Sequence, residues 1–251
     1  MAPSAAPWLG GGRAQTGGQR SGGGAGAGKA LVMEPAQRSL LGRYARLLAD
    51  APHNLLSPAD RERVWERHIA EAAHVAGRLG SLGQERWIDV GTGGGLPGLV
   101  VAVMRPRAEV VLLDATRKKT DAVARFIEAL DVPNASTVTG RAEELARQAS
   151  HRGAFDGALA RAVGSITVSV ELTRGFVRDG GAIVVVRGED GPRCVDIVGR
   201  FAGSLGVRDV HAEAVPHAAR TTWLVRMRAE GSVPRWLPRA NGIPRSRPLE
   251  G

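Results

Sequence analysis

The stretch WIDVGTGGGLPGLVVAV, residues 87–103, decides the fold. It runs strand, turn, helix. Trp87 to Val90 form the strand, with Asp89 near its end. Gly91, Gly93, Gly94 and Gly95 make the turn, and Pro97-Gly98 begins the helix. Glycine allows positive φ and lets a ligand approach where a Cβ would block it. Proline in the first turn sets the start of the helix. The helix then presents unpaired amides toward a ligand at the carboxyl end of the strands.

The choice of ligand follows from the spacing. A dinucleotide loop has glycine at its first, third and sixth places. Here the sixth place is Leu96 and the fifth is Gly95, so the pattern is GxGxG, more typical of S-adenosylmethionine than of NAD. The Lys-Ser/Thr of a phosphate-binding NTPase loop is missing. The next strand, EVVLLD at 109–114, ends in Asp114 and is followed by the basic helix start ATRKK. A carboxylate at that place, about twenty residues beyond the glycines, accepts hydrogen bonds from both ribose hydroxyls. The competing role for Asp114 is a cap on the next helix. Asp89 could likewise be a strand-end cap, or lie near the methionine amino group of the cofactor. Loop and acid together point to a class I S-adenosylmethionine-dependent methyltransferase.

Outward from this centre the chain alternates. Strands are expected at 86–90, 109–114, 135–139, 155–160, 181–186, 207–214 and 222–228, and helices at 97–104, 117–130, 141–150, 166–178 and 192–204. Such alternation with short links predicts a Rossmann-like α/β fold, a mainly parallel seven-stranded sheet with helices on both faces. The last two strands have only a turn around Pro216 between them and should pair as an antiparallel hairpin. Four segments result. Residues 1–32 are Gly-rich and expected to be disordered, with Met33 an alternative translation start. Residues 33–80 form a helical extension with helices at about 36–49 and 59–79, the second opened by Ser57-Pro58. Residues 81–230 are the methyltransferase domain. Residues 231–251, with four prolines and no periodicity, read as an extended basic tail.

Composition narrows the setting. Of 251 residues, 43% are hydrophobic, enough for one ordinary core. No run of eighteen uncharged apolar residues exists, so no membrane span is expected. The single cysteine, Cys194, cannot form an internal disulfide and reads as a small filler in or near a helix; a cytoplasmic home is expected. The net charge is +9, and the two ends, 1–40 and 231–251, each carry four basic and one acidic residue. A basic balance favours a polyanionic partner such as nucleic acid, although an arginine-rich solvated surface would give the same count. No metal site is apparent.

These motifs together resemble a known family, the bacterial small-subunit ribosomal RNA guanine-N7 methyltransferases, also called glucose-inhibited division protein B. The resemblance covers about residues 38–248. It rests on HNLLS at 53–57, VWERHI at 64–69, DVGTGGGLPG at 89–98, RAEEL at 141–145, FDGALARAV at 155–163 and the ending VPRWLPRANGIPRSRPL. The resemblance implies S-adenosylmethionine as cofactor, with Gly91, Gly93, Gly95, Ala142, Glu143 and Arg161 at its site; Asp89, Thr92, Leu96 and Asp114 complete the expected cofactor-binding set. Ala142 and Glu143 would flank the adenine. It implies 16S ribosomal RNA in the small subunit as partner and the N7 of guanine 527 as target; a monomer is expected as the acting form. Arg161, Arg187, Arg67 and His68 are the expected substrate-positioning residues. Two features depart from the family: Arg187 stands where a lysine is usual, which exchanges a point charge for a fork of donors, and Pro52-His53 replaces an aromatic.

The chemistry needs little from the protein. Guanine N7 has an in-plane lone pair and no proton, so no general base is required, and none is evident. The task is to align nucleophile and methyl and to exclude water. Arg235, Arg239, Arg245 and Arg247 of the tail are expected to serve RNA and not cofactor; the alternative is a packed tail anchored by Trp236 and Leu237. Two other readings stay open. One is a catalytically inactive relative acting in RNA binding or ribosome assembly, and the other is a methyltransferase for a different substrate.

Overall fold

The computed structural model describes residues 33–51, 55–79, 85–217 and 220–250. The Gly-rich stretch 1–32, expected to be disordered, lies outside the described residues, as does the Pro52-His53 departure.

Seven strands form one sheet in the order β3-β2-β1-β4-β5-β7-β6. These are β1 (Arg86–Val90), β2 (Glu109–Asp114), β3 (Ala135–Thr139), β4 (Phe155–Arg161), β5 (Val177–Arg187), β6 (Val207–His217) and β7 (Arg220–Ala229). The first five run parallel, and β7 is antiparallel to both β5 and β6. The expected hairpin is present. β6 extends past Pro216 to His217, because a backbone without an amide there still serves an end strand.

β1, β2, most of β4 and the second half of β5 are near-continuously apolar because both faces are covered there, whereas the edge strand β3 is more polar and partly exposed. One face carries α1 (Pro35–Ala49), α3 (Ala70–Arg78), α4 (Gly98–Met104) and α5 (Arg117–Leu130) over Trp87, Val110, Leu112 and Leu159. The other carries α6 (Ala142–Leu145), α7 (Ile166–Arg174) and α8 (Gly191–Leu205) over Ile88, Val111, Ala158 and Val185. Cys194 is a buried filler on α8. Among the described residues no helix is long and apolar enough to cross a membrane.

The single helix expected over 59–79 is interrupted. A short α2 (Pro58–Arg61) is followed by a π-helical turn, Trp65–Ile69, that leads into α3. The wider turn rotates Arg67 and His68 out of ordinary register while Ile69 stays fully buried. Such turns are frequent at functional sites. Two other helices stop short of expectation: α6 ends at Leu145 rather than 150, and α7 at Arg174 rather than 178.

The extended basic tail is corrected outright. Residues 231–250 pack against the body, with Leu237 fully buried, and end in the short helix α9 (Ile243–Ser246). Prolines remove amides but leave carbonyls, and buried carbonyls need donors. Arg152 supplies them to Val233, Pro234 and Leu237 at 2.8–3.2 Å, and Arg147 donates to Pro238. Of the two anchors foreseen for a packed tail only Leu237 is inside; Trp236 remains 40% exposed.

Candidate active site

The carboxyl ends of β1, β2, β3 and β4 open into a pocket of about 250 Å³. It is bounded by Val90 and Gly91, by Asp114 to Thr116 with Lys119, by Gly140 to Glu143, and by Ala162 and Val163; Val168 and Leu172 of α7 form an apolar side. Ligands bind at this edge of open α/β sheets because the strand order reverses there.

The glycine loop is the first wall. Gly91, Gly93 and Gly95 all have positive φ (75°, 59° and 95°), so the turn needs residues without a Cβ penalty. A Cβ on Gly93 would meet nothing within 4 Å, whereas on Gly95 it would strike the Tyr44 hydroxyl. One glycine therefore leaves room for a ligand and the other serves packing. Tyr44, fully buried on α1, donates to the Gly94 carbonyl at 2.6 Å. Burial raises its pKa far above the ordinary phenol. The helical extension thus buttresses the loop from behind.

Two carboxylates organise the loop. Asp89 Oδ2 accepts from the Thr92 hydroxyl at 2.7 Å and from the Gly98 amide at 2.9 Å. Its Oδ1 is buried with no hydrogen-bond partner among the described residues. Burial pushes the acid up to about 6, against the bonds to Thr92 and Gly98 and the attraction of Arg161. A buried acceptor with an empty side is suited to a donor brought by a ligand. Asp114 is held at both oxygens, Oδ2 by the Gly93 amide at 3.1 Å and Oδ1 by the Thr116 amide at 2.9 Å, with Lys119 Nζ 3.8 Å away. Asp89 holds the first amide of α4, whereas the cap of α5 is Thr116, so Asp114 holds the turn before that helix and lines the pocket. Thr92 is buried beneath the loop, and Leu96 packs into the core at its end.

Glu143 is a pocket residue with commitments. Its Oε1 accepts from Arg141 at 2.6 Å and from the Gly242 amide at 3.0 Å. Burial raises its pKa, but those two donors outweigh it and leave the carboxyl below its usual range. Ala142 is buried beside it.

Arg161, at the end of β4, reaches the extension. Its guanidinium lies 3.4 Å from buried Glu71 Oε2 and 3.4 Å from His68 Nδ1. His68 lies 3.7 Å from Asp60, which also takes a 2.6 Å bond from Arg67. Three of the four expected positioning residues, Arg67, His68 and Arg161, are therefore gathered on one network through Asp60 and Glu71. Arg187 sits apart, donating to the Gly164 carbonyl at 2.8 Å and pairing with Asp190. That bond holds Asp190 below the usual carboxylate range. Glu71, Tyr44 and Lys119 were not foreseen. Lys119 lay in the basic helix start already noted, while nothing local marks a helix glutamate or tyrosine as part of a site.

Strand order, glycine turn and paired carboxylates define a class I methyltransferase, one that uses S-adenosylmethionine. The model of the rRNA small subunit methyltransferase G family, GidB, matches residues 37–194, and the chain belongs to that family. Ribosomal RNA small subunit methyltransferase G of Gloeobacter violaceus is 36% identical over 215 residues, 84% of this chain and 86% of that protein. The protein of the same name from Sorangium cellulosum is 35% identical, covering 83% of this chain and 86% of its own. Among solved structures, a predicted O-methyltransferase of Agrobacterium tumefaciens superposes with a TM-score of 0.51 at 16% identity, over 64% of this chain and 83% of that one. A 16S rRNA (adenine(1408)-N(1))-methyltransferase from Catenulisporales acidiphilia gives 0.50 at 20% identity, over 66% and 93%. These two likenesses speak for the fold alone.

Proposed function

We propose that this protein transfers the methyl group of S-adenosylmethionine to the N7 nitrogen of one guanine, position 527, in 16S ribosomal RNA of the small subunit, acting as a cytoplasmic monomer. The observation that carries the reading is the cradle itself, Gly93 open to a ligand and Asp114 held at its rim, in a chain of this family.

S-adenosylmethionine supplies an electrophilic methyl on a sulfonium centre. Asp114 would accept from the ribose hydroxyls and Gly91 to Gly95 would admit the methionine part, with Asp89 beneath as acceptor for its amino group. Ala142 and Glu143 would border the adenine. Arg161, held by Glu71 and near His68, would orient the target base or an adjacent phosphate, contacts for which arginine forks are suited. Arg67, 41% exposed at its side chain, would meet the backbone. Arg187, tied to Gly164, would act by holding the loop that follows β4. No proton has to be taken from N7, so alignment and exclusion of water are the enzyme's contribution. An unstacked base is the form in which RNA offers such an edge.

The test is ribosomal RNA from a strain lacking the gene, mapped by chemical cleavage at methylated guanine. The cleavage at position 527 should vanish and return with the wild-type gene. A signal that persists without the gene overturns the target. Rescue of subunit assembly without methylation would favour an inactive assembly protein.

Asp89 adds a pH test. Its folded pKa of about 6 lies above the unfolded 3.8, so between them the native state holds the extra proton. Stability of the free protein therefore falls as pH rises through that window. The cationic cofactor favours the ionised form, so S-adenosylmethionine affinity should rise from about pH 5 to 7, with proton release on binding. Asp89→Asn should flatten this dependence. Calorimetry in buffers of different ionisation heat reads both, and a flat wild-type profile removes Asp89 from the cofactor's environment.

A further inference from the structure

We propose that the C-terminal segment 239–245 is a built wall of the cofactor pocket, with Arg239 as the positioning residue and Pro244 closing the side that takes the adenosyl group. This rests on reading that pocket as the S-adenosylmethionine site.

Pro244 and Arg245 line the pocket together with Val168, Leu172, Ala142 and Glu143. These residues come from the far end of the chain, and what brings them there is specific. The Arg239 guanidinium meets both oxygens of Glu171 at 2.7–3.1 Å, and the Arg239 amide adds a bond of 2.8 Å to the same carboxylate. Glu171 is fully buried on α7, between Val168 and Leu172, the two α7 residues that face the pocket. A buried carboxylate left without its partner costs far more than an exposed one, so the arginine is held firmly. The tail is therefore pinned to the helix that gives the pocket its apolar side.

Beyond that anchor the segment bonds to the rest of the rim. Asn241 donates to Glu144 and the Gly242 amide to Glu143, both on α6, and Arg245 donates to the Val163 carbonyl at 3.3 Å. Gly242 has φ 77°, a conformation that favours glycine and turns its amide to Glu143. Among the described residues, these hydrogen bonds from 239–245 to the body all end on a residue of the pocket or of a helix that lines it. A solvated RNA-binding arm has no use for that selectivity. A wall does: Pro244 is buried, stiff and apolar, a suitable surface for the face of a purine.

A chain ending at Arg239 tests the wall, since it keeps buried Leu237 and the pair with Glu171. Its Kd for S-adenosylmethionine should rise about tenfold or more, while thermal unfolding without cofactor stays near wild type. Pro244→Ala should raise the KM for S-adenosylmethionine several-fold and leave the KM for ribosomal RNA unchanged. Arg239→Lys, which keeps a charge for Glu171, should recover part of the affinity that Arg239→Ala loses. Wild-type cofactor affinity in the folded shortened chain overturns the proposal. Should that chain fail to fold, unchanged KM in Pro244→Ala overturns it instead. A wild-type protein that does not bind S-adenosylmethionine would defeat the reading of the pocket, not of the wall.

Discussion

Asp114→Ala is expected to weaken S-adenosylmethionine binding by about 1–3 kcal/mol, or roughly 5- to 150-fold, the range for charge-assisted hydrogen bonds lost at one carboxylate. The carboxyl is positioned before any ligand arrives, because the amides of Gly93 and Thr116 hold one oxygen each. Each oxygen retains a second lone pair, and the side chain lines the pocket. Alanine removes the ribose acceptor and also frees the glycine turn, so Asp114→Asn is the necessary companion. Its amide oxygen can keep one of the two backbone bonds, while its nitrogen repels the other amide and offers the ribose a donor in place of an acceptor. Binding should rank wild type, asparagine, alanine. Calorimetry, with unfolding of the free variants as control, reads the difference. Unchanged affinity in a folded Asp114→Ala removes Asp114 from the cofactor site.

Wherever local pattern decides structure, the sequence was legible. β1, β2, β3 and α5 occupy the residues expected of them, since apolar alternation and a helical period of 3.6 are carried by neighbours in the chain. The glycine turn was legible because positive φ at Gly91, Gly93 and Gly95 restricts residue type directly. What escaped depends on distant partners. The break before α3 is a wider turn that no propensity encodes. α7 ends early because Val177 is drawn into β5, where Gly180 and Gly181 accompany a register irregularity against β4. The tail was misread for the same reason: four prolines argue against a helix or a central strand, but Arg239 is placed by Glu171, 68 positions earlier. Likewise, Arg161 was singled out by motif, yet its partner Glu71 lies on α3 of the extension.

The largest effect on stability is expected from another residue that gave no sign of itself. Arg174 ends α7, where an arginine is ordinarily a solvated complement to the helix dipole, but here it is fully buried. It has no carboxylate in its grip. Nε donates to Gly206 at 2.8 Å, Nη1 to Val177 at 2.9 Å, and Nη2 to Glu230 and Gly231 at 3.1 and 2.8 Å. One guanidinium thus ties the start of β5, the turn into β6 and the end of β7 to one helix. Burial draws its pKa down to about 10, with Asp179 opposing, so the group is still charged at neutral pH. Arg174→Met preserves the apolar stem and abandons four carbonyls, two of them to a dry interior. The cost should be about 3–5 kcal/mol, as for other buried charged groups whose partners are stranded. Arg174→Lys should recover only part of it, because a point ammonium cannot span four acceptors that a planar fork reaches. Denaturant unfolding measures both variants. A loss below about 1 kcal/mol for methionine would mean that water enters and satisfies the carbonyls, and that strands and helix are joined by apolar packing alone.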